Sequence, residues 1–330
     1  MNQRFNLKRR VNYLKRVYQA YLAGGKSQLT FWHGKPEVNQ AAVGDKLGQY
    51  YMPFTTKAKY EAHLDAQGVP LLDYHGVIGV QYNPIAIAQF GLGNFNLFQQ
   101  TGEEGYREKF LLAADWLSEN LEENDFGVPV WMHQFDFEYQ EGLTAPWYSG
   151  LAQGQGISVL VRAYQVTQEE EYLQAAEKAF VSLYTPTSEG GVITYDEDGN
   201  LWIEEYLVSP PSHVLNGFIW ALWGVYDYFL LTGAESARAL YQKALNTVKD
   251  NLHRYDIGYW SLYDLSSLRL KMIASPFYHQ LHIVQLRILQ RLTGDEIYRR
   301  FADRWERYQG KALNRWRAFL YKLIFKVFYF

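Results

Sequence analysis

Four segments of the chain repeat one hydrophobic layout: a helix apolar on nearly all sides, a Thr-Gly-like turn, then a second helix that opens with acid and tyrosine and is apolar on one face only. The turns fall at Thr101-Gly102, Thr167-Gln168, Thr232-Gly233 and Thr293-Gly294, which are 66, 65 and 61 residues apart. Tyr106, Tyr172 and Tyr298 each follow their turn threonine by five residues, and in the third copy Tyr241 arrives four residues later. A helix apolar all round has to be buried, so the first helices of the pairs form an inner layer and the amphipathic second helices cover it. Tight returns make each pair antiparallel. A period of this length with long connections between pairs predicts a mainly α fold, an α/α toroid (an incomplete barrel) of about four helix pairs.

The long connections, residues 126–146, 188–211 and 255–276, then line one rim, where loops on a rigid scaffold carry function. The middle one contains Ile193-Thr194-Tyr195, an Asp198-Gly199-Asn200 turn and Leu201-Trp202-Ile203, the pattern of a β-hairpin. Residues 28–80 are less periodic, with strand-like pieces at Leu29-Thr30-Phe31-Trp32 and Tyr50-Tyr51-Met52-Pro53-Phe54. The expected division is therefore a basic N-terminal helix over 1–27, a β-rich segment packed on the toroid over 28–80, the toroid over 81–310 and a basic amphipathic helix over 311–330.

Composition adds a bias. With 10 Trp, 27 Tyr and 19 Phe, aromatic side chains make up 17% of the chain, more than a core requires, and aromatic faces in clefts stack on sugar rings. The absence of cysteine removes disulfides, thiolate metal sites and a cysteine nucleophile, and favours a reducing compartment. Charge is segregated. Residues 1–26 carry seven Lys or Arg and no acid, 311–330 carry five and no acid, and the net charge of -3 leaves 27–310 at -15 (-3 - 7 - 5). So acidic a body excludes nucleic acid as a partner. The sequence has no apolar run of membrane-spanning length and no signal-peptide pattern, and reads as cytoplasmic.

Asp196-Glu197-Asp198-Gly199 lacks the remaining ligand positions of a calcium loop and is better read as a turn. His279 and His282, three residues apart, lack a third ligand and read as a helix-face pair, so no metal or cofactor is expected. The fingerprints of serine hydrolases, P-loop enzymes and dinucleotide binders are missing. What remains on the rim is a group of tyrosines and carboxylates: Glu204, Glu205, Tyr206, Tyr263, Asp264 and Tyr278.

Several blocks carry a resemblance. Pro146-Trp147-Tyr148-Ser149-Gly150-Leu151-Ala152-Gln153-Gly154-Gln155, Glu204-Glu205-Tyr206 with Ser209-Pro210-Pro211-Ser212-His213-Val214-Leu215-Asn216-Gly217-Phe218, Tyr263-Asp264-Leu265, and Tyr278-His279 with His282-Ile283 resemble, in this order, the C-terminal domain of the D-glucuronyl C5-epimerases of heparan sulfate and heparosan synthesis. The resemblance covers roughly residues 45–310. It implies an α/α barrel of four helix pairs, an isomerase acting on an anionic heparosan-like polysaccharide, and active-site positions at Glu205, Tyr206, Tyr263 and Tyr278. Trp147, Tyr148, Gln153, Gln155, Asn216, Arg269 and His279 follow as substrate contacts. The chain departs from the animal enzymes in having Ser266 where they follow Tyr-Asp-Leu with arginine; Arg269 is the candidate to supply that charge. Their large N-terminal β portion and membrane anchor are largely missing here, so a groove built from that part would come from residues 28–80 or a second subunit.

Inversion at C5 of a uronate removes a proton α to a carboxylate and returns one on the opposite ring face, so it needs one acid/base group per face. The charge piled onto the carboxylate must be met by hydrogen-bond donors, a cation or protonation. Tyr278 and Glu205 are assigned to opposite faces, with Tyr206 and Tyr263 supporting the intermediate or one of them replacing a base; a protonated Glu205 could instead donate a hydrogen bond to the enolate-like intermediate. A tyrosine base would need a nearby cation, for which Arg269, Lys271 and His279 are candidates. The rivals are a uronan lyase sharing the same proton abstraction, a glycoside hydrolase on a similar toroid, and a non-catalytic glycan-binding protein. At the C-terminus, Leu313, Trp316, Leu320, Leu323, Ile324 and Val327 fall at helical spacing among basic residues, which suits peripheral contact with an anionic membrane or docking in a homodimer.

Overall fold

The computed structural model describes Val17, Tyr18, Tyr21 and residues 34–140 and 142–329. A single helical turn, α1 (Thr55–Ala58), precedes four helix pairs: α2 (Pro84–Thr101) with α3 (Glu104–Glu119), α4 (Gly150–Thr167) with α5 (Glu170–Phe180), α6 (Leu215–Thr232) with α7 (Glu235–Asn251), and α8 (Pro276–Thr293) with α9 (Glu296–Gly310). A last helix, α10 (Ala312–Tyr329), follows them. The first member of each pair is buried along most of its length, and α2, α4, α6 and α8 pack side by side in that order. The second members bury one stripe each; α9 buries only Tyr298, Phe301, Ala302 and Trp305, at the i, i+3, i+4, i+7 spacing of one helix face. The expected mainly α fold, an incomplete α/α toroid, is what these helices build.

One local device explains the repeat. Each turn threonine donates its hydroxyl to the carbonyl four residues back, Leu97, Ala163, Tyr228 and Leu289, at 2.8–2.9 Å. The same hydroxyl accepts the N–H two residues on, so it closes the helix and starts its partner. The residue between is left-handed in all four: Gly102, Gln168, Gly233 and Gly294, with φ from 63° to 73°.

Inner helices meet at backbone distance. A methyl group on Gly224 of α6 would come within 2.1 Å of the Gly154 carbonyl oxygen of α4, and one on Gly154 within 2.4 Å of Ala221 Cα. At the turn end of the toroid, residues 39–54 form a plug. Tyr50 N donates to Asn96 Oδ1 (2.7 Å), Arg162 Nε to the Gly48 carbonyl (2.8 Å), Tyr51 hydroxyl to Asp227 Oδ1 (2.7 Å) and Arg291 to the Asn39 carbonyl (3.1 Å). These partners belong to α2, α4, α6 and α8 in turn, so one segment ties all four inner helices together.

Residues 50–54, expected to be strand-like, form no strand, because their polar backbone is taken up by inner-helix side chains such as Asn96. Within 34–80 the strand content is β1 (Leu71–Asp73), which pairs with β2 (Val80–Tyr82). The strand-like piece at 29–32 and, but for Val17, Tyr18 and Tyr21, the basic helix at 1–27 lie outside the described residues.

Rim connections carry short antiparallel pairs: β3 (Glu122–Glu123) with β4 (Pro129–Val130), β5 (Met132–His133) with β8 (Trp147–Tyr148), and β6 (Phe137–Glu138) with β7 (Gly142–Leu143). The expected hairpin forms from β9 (Ile193–Tyr195) and β10 (Leu201–Ile203). Asp196 closes its turn by accepting the N–H groups of Asp198 and Asn200, which is turn chemistry rather than ion binding.

Candidate active site

Backbone bonds between rim loops and inner-helix starts fix where the chemistry sits. The Glu204 carbonyl accepts from Gly150 N at the start of α4 (2.9 Å), and the Tyr263 carbonyl accepts from Leu215 N at the start of α6 (3.2 Å). Tyr263 N donates to the Met272 carbonyl (2.7 Å), which closes residues 264–271 into a loop. Tyr278 sits in the first turn of α8, capped by the Ser275 hydroxyl. Four elements far apart in the chain are thus held to one end of the toroid.

Their side chains converge. Asn216 Nδ2 donates to Glu205 Oε2 (3.2 Å), and Tyr206 and Tyr263 also lie within hydrogen-bonding reach of that carboxylate. Tyr278 packs edge-on against Tyr263 with ring centroids 4.9 Å apart, and their hydroxyls are in hydrogen-bonding reach. Gly217 makes the space: a methyl group there would meet Glu205 Oε2 at 2.2 Å. The cluster reaches the partly exposed rings of Trp147 and Tyr278 and is otherwise buried, with Glu205 only 5% exposed.

Burial sets the proton affinities. Desolvation pushes the Glu205 carboxyl up to about 7, with the Asp264 charge adding to the rise and the hydrogen bonds from Tyr206, Asn216 and Tyr263 opposing it. Tyr206, Tyr263 and Tyr278 are raised well above the ordinary phenol value, by desolvation first and by the Glu205 charge second. All three are therefore hydroxyl donors at neutral pH.

The expected cations are elsewhere. Arg269 and Lys271 are exposed, and Lys271 donates to the Ser266 carbonyl (2.7 Å). His279 faces the α9 side of α8, stacked on Trp260 at 4.0 Å, with Nδ1 against Ser261 Oγ (2.7 Å) and Nε2 donating to the Trp305 carbonyl (3.0 Å). It is a packing residue, and burial lowers it to about 4. His282 shares the same Ser261 hydroxyl.

Other candidates divide in the same way. Trp147 lies 6.1 Å from Tyr206, ring to ring, and donates its indole N–H to the Phe135 carbonyl. Tyr148 donates to the Gly190 carbonyl (3.0 Å), and Gln153 is spent on Trp131 N and the Ser149 carbonyl, so both hold loops rather than the cluster. Gln155 accepts from Gln89, which in turn is bonded to Lys57, in the buried middle of the toroid. Glu204 points away from Glu205: it accepts from Thr194 Oγ1 (2.6 Å) and meets His213 Nδ1 (2.6 Å).

Sequence reading passed over Tyr139. It stacks on Tyr206 at 4.2 Å and donates its hydroxyl to Asp264 Oδ2 (2.5 Å), so the 126–146 loop closes over the cluster from above. Its only sequence signal was membership of a rim loop. Lys322 of α10 was also missed; it donates to the Ile273 carbonyl (2.9 Å), and desolvation, opposed by the Asp264 charge, lowers it to about 8.

A family model described as D-glucuronyl C5-epimerase C-terminus matches residues 124–307, a stretch that holds all three rim loops and ends before α10. A D-glucuronyl C5-epimerase of Caenorhabditis elegans is 36% identical over 220 residues, 61% of this chain and 35% of the relative. An uncharacterized protein of Methanocaldococcus jannaschii is 32% identical over 201 residues, 60% of this chain and 64% of that one. The chain therefore spans between one third and two thirds of the length of these curated relatives. Among solved structures, an unsaturated glucuronyl hydrolase specific for heparin superposes with a TM-score of 0.48 at 12% identity, covering 90% of this chain and 82% of that chain.

Proposed function

Because the chain belongs to the family of the D-glucuronyl C5-epimerase C-terminus, we propose that it is an isomerase that converts D-glucuronic acid residues of a heparosan-like polysaccharide to L-iduronic acid by exchanging the hydrogen at C5. The observation that carries this reading is the buried Glu205 carboxyl, raised to about 7 and ringed by hydroxyl and amide donors rather than by cations. A group titrating near neutrality takes and returns protons at working pH.

Glu205 as carboxylate removes the C5 proton. The electron pair moves into the substrate carboxylate, which becomes enediolate-like and doubly charged. Tyr206 and Tyr263 hydroxyls, kept protonated by burial, donate hydrogen bonds to that charge. Tyr278 delivers a proton to C5 from the opposite face. Tyr263, in reach of both Glu205 and Tyr278, returns the proton from one to the other and resets the site. Tyr278 rests as a protonated hydroxyl and is a phenolate only between its donation to C5 and its reprotonation through Tyr263, so the sequence calls for no cation beside a resting phenolate.

The test is proton NMR of heparosan incubated with the protein in deuterated water. Deuterium should enter C5 with L-iduronate signals appearing, and Tyr278→Phe should abolish the L-iduronate signals while leaving the helical circular dichroism unchanged. Undiminished formation of L-iduronate in that variant removes Tyr278 from the mechanism. Growth of ultraviolet absorbance from an unsaturated product would reassign the chain to a lyase, in which the same carbanion expels the C4 oxygen.

A further inference from the structure

Helix α10 has two faces with opposite fates. Its inner face is built into the site's rim: Phe325 is fully buried in the cluster that contains Tyr206, Tyr263 and Met272, Lys322 donates to the Ile273 carbonyl, and the Tyr329 hydroxyl accepts from Leu270 N (3.3 Å). Tyr18 and Tyr21 pack on Phe319 from a second side, with ring centroids 6.2 and 6.5 Å away. The outer face carries Leu313, Trp316, Leu320, Ile324, Val327 and Phe328, each between 50% and 72% exposed. Their spacing of three and four residues, with Phe328 next to Val327, puts them on one stripe, which from Leu313 to Phe328 runs about 23 Å. A continuous apolar stripe of this kind on a surface helix marks an interaction site.

Charge selects the occupant. Lys311, just before the helix, and Arg315 and Arg317 on it are exposed, and residues 311–330 contain no acid. Arg317 also lies over the Tyr259 ring at 4.2 Å, which leaves its guanidinium near the surface. With cations spread along it, the helix does not cross a bilayer, and among the described residues no helix is long and apolar enough to do so. An isologous contact between two copies would set this +5 segment against its twin. An acidic partner protein would match the charge but not a stripe of aliphatic and aromatic side chains about 23 Å long. An interface of anionic headgroups over acyl chains matches both at once. The net charge of -15 over 27–310 is repelled by the same surface, so the body of the toroid does not compete with α10 for it.

We propose that α10 lies in the headgroup region of an anionic membrane with its apolar stripe inserted, and so holds the rim of the toroid at that surface. This contact does not depend on the glycan chemistry proposed above, and its test reads binding alone. The full chain should co-float with vesicles of phosphatidylglycerol and phosphatidylcholine, with binding reduced by added salt, and should stay behind with phosphatidylcholine vesicles. The double variant Leu320→Glu, Ile324→Glu changes only outward positions; it should keep the melting temperature and lose at least about tenfold in vesicle partition, since each change replaces an inserted aliphatic side chain with an anion. Failure of the full chain to float with anionic vesicles overturns the proposal, as does undiminished flotation of the double variant. Dimerisation in sedimentation that the double variant dissolves, without flotation of the parent, would assign the stripe to a second copy instead.

Discussion

Glu204 and Glu205 are consecutive, just past the end of β10, yet their side chains go to different places. Glu204 goes to a buried partnership with Thr194 and His213, and Glu205 to the tyrosine cluster. The proton affinity of Glu205 then has two opposite consequences. Its carboxyl stands at about 7 against an ordinary 4.5, so the folded chain holds this proton more tightly than the unfolded one. Its contribution to stability is complete below pH 4.5 and is lost as pH rises towards 7. In the proposed reaction the carboxylate is the active form, so activity moves the other way. We expect kcat/KM for C5 exchange to rise with pH to a midpoint of about 7, and Glu205→Gln to remove this limb and cost on the order of 10²- to 10⁴-fold in rate. A pH-rate profile with no inflection between 6 and 8 would count against Glu205. Gly217→Ala tests the same geometry from the other side: its methyl group would collide with Glu205 Oε2. Exchange should fall about 100-fold or more, because misplacing a reacting group by about 1 Å costs that much, with the circular dichroism retained.

At the scale of elements, the turn threonines show how a repeat is held by chemistry rather than by identity. Three copies place glycine in the left-handed position and one places Gln168, whose side chain is tied back to the Tyr164 and Gln165 carbonyls. A non-glycine residue there costs on the order of 1 kcal/mol. Gln168→Gly should therefore raise unfolding stability by about 1 kcal/mol, seen as a shift of the denaturant midpoint at unchanged slope. Where α4 and α6 touch, the same residue type has the opposite value. Gly224→Ala puts a methyl group against backbone, which cannot yield as a side chain would, and should cost about 1–3 kcal/mol by the same measurement.

Over the whole molecule, the plug and the buried ion pair do what no single helix pair does. Arg162 and Asp227 meet at 2.6 Å with side chains 1% and 0% exposed, bridging α4 and α6, and Tyr51 of the plug donates to the same carboxylate. Removing one charge of a fully buried pair leaves the other unpaired, so Asp227→Asn should lower stability by about 3–5 kcal/mol. Lying near the far ends of α4 and α6 from Glu205, it should leave the pH midpoint of exchange in place. A variant that shifted that midpoint would show the plug and the site to be coupled.

Periodicity alone, with the turn threonines at their regular spacing, determined that this chain is a ring of helix pairs with loops on one rim, because burial of an all-apolar helix and the closing of a turn are local matters. The Asp-Gly-Asn hairpin was legible for the same reason, and the resemblance in the matched blocks named Glu205, Tyr206, Tyr263 and Tyr278 together. Direction was not legible. Gln153, Tyr148 and His279 sit in those same blocks yet serve packing, since neighbours in sequence share a backbone path but not a facing. Nor was the cover: Tyr139 bonds to Asp264 from 125 residues away and the Lys322 charge acts on it from 58, in a rim loop and a terminal helix with no spacing that relates them. Which carboxyl is pushed towards neutrality was decided only when the rim loops closed, because that shift comes from the water they exclude.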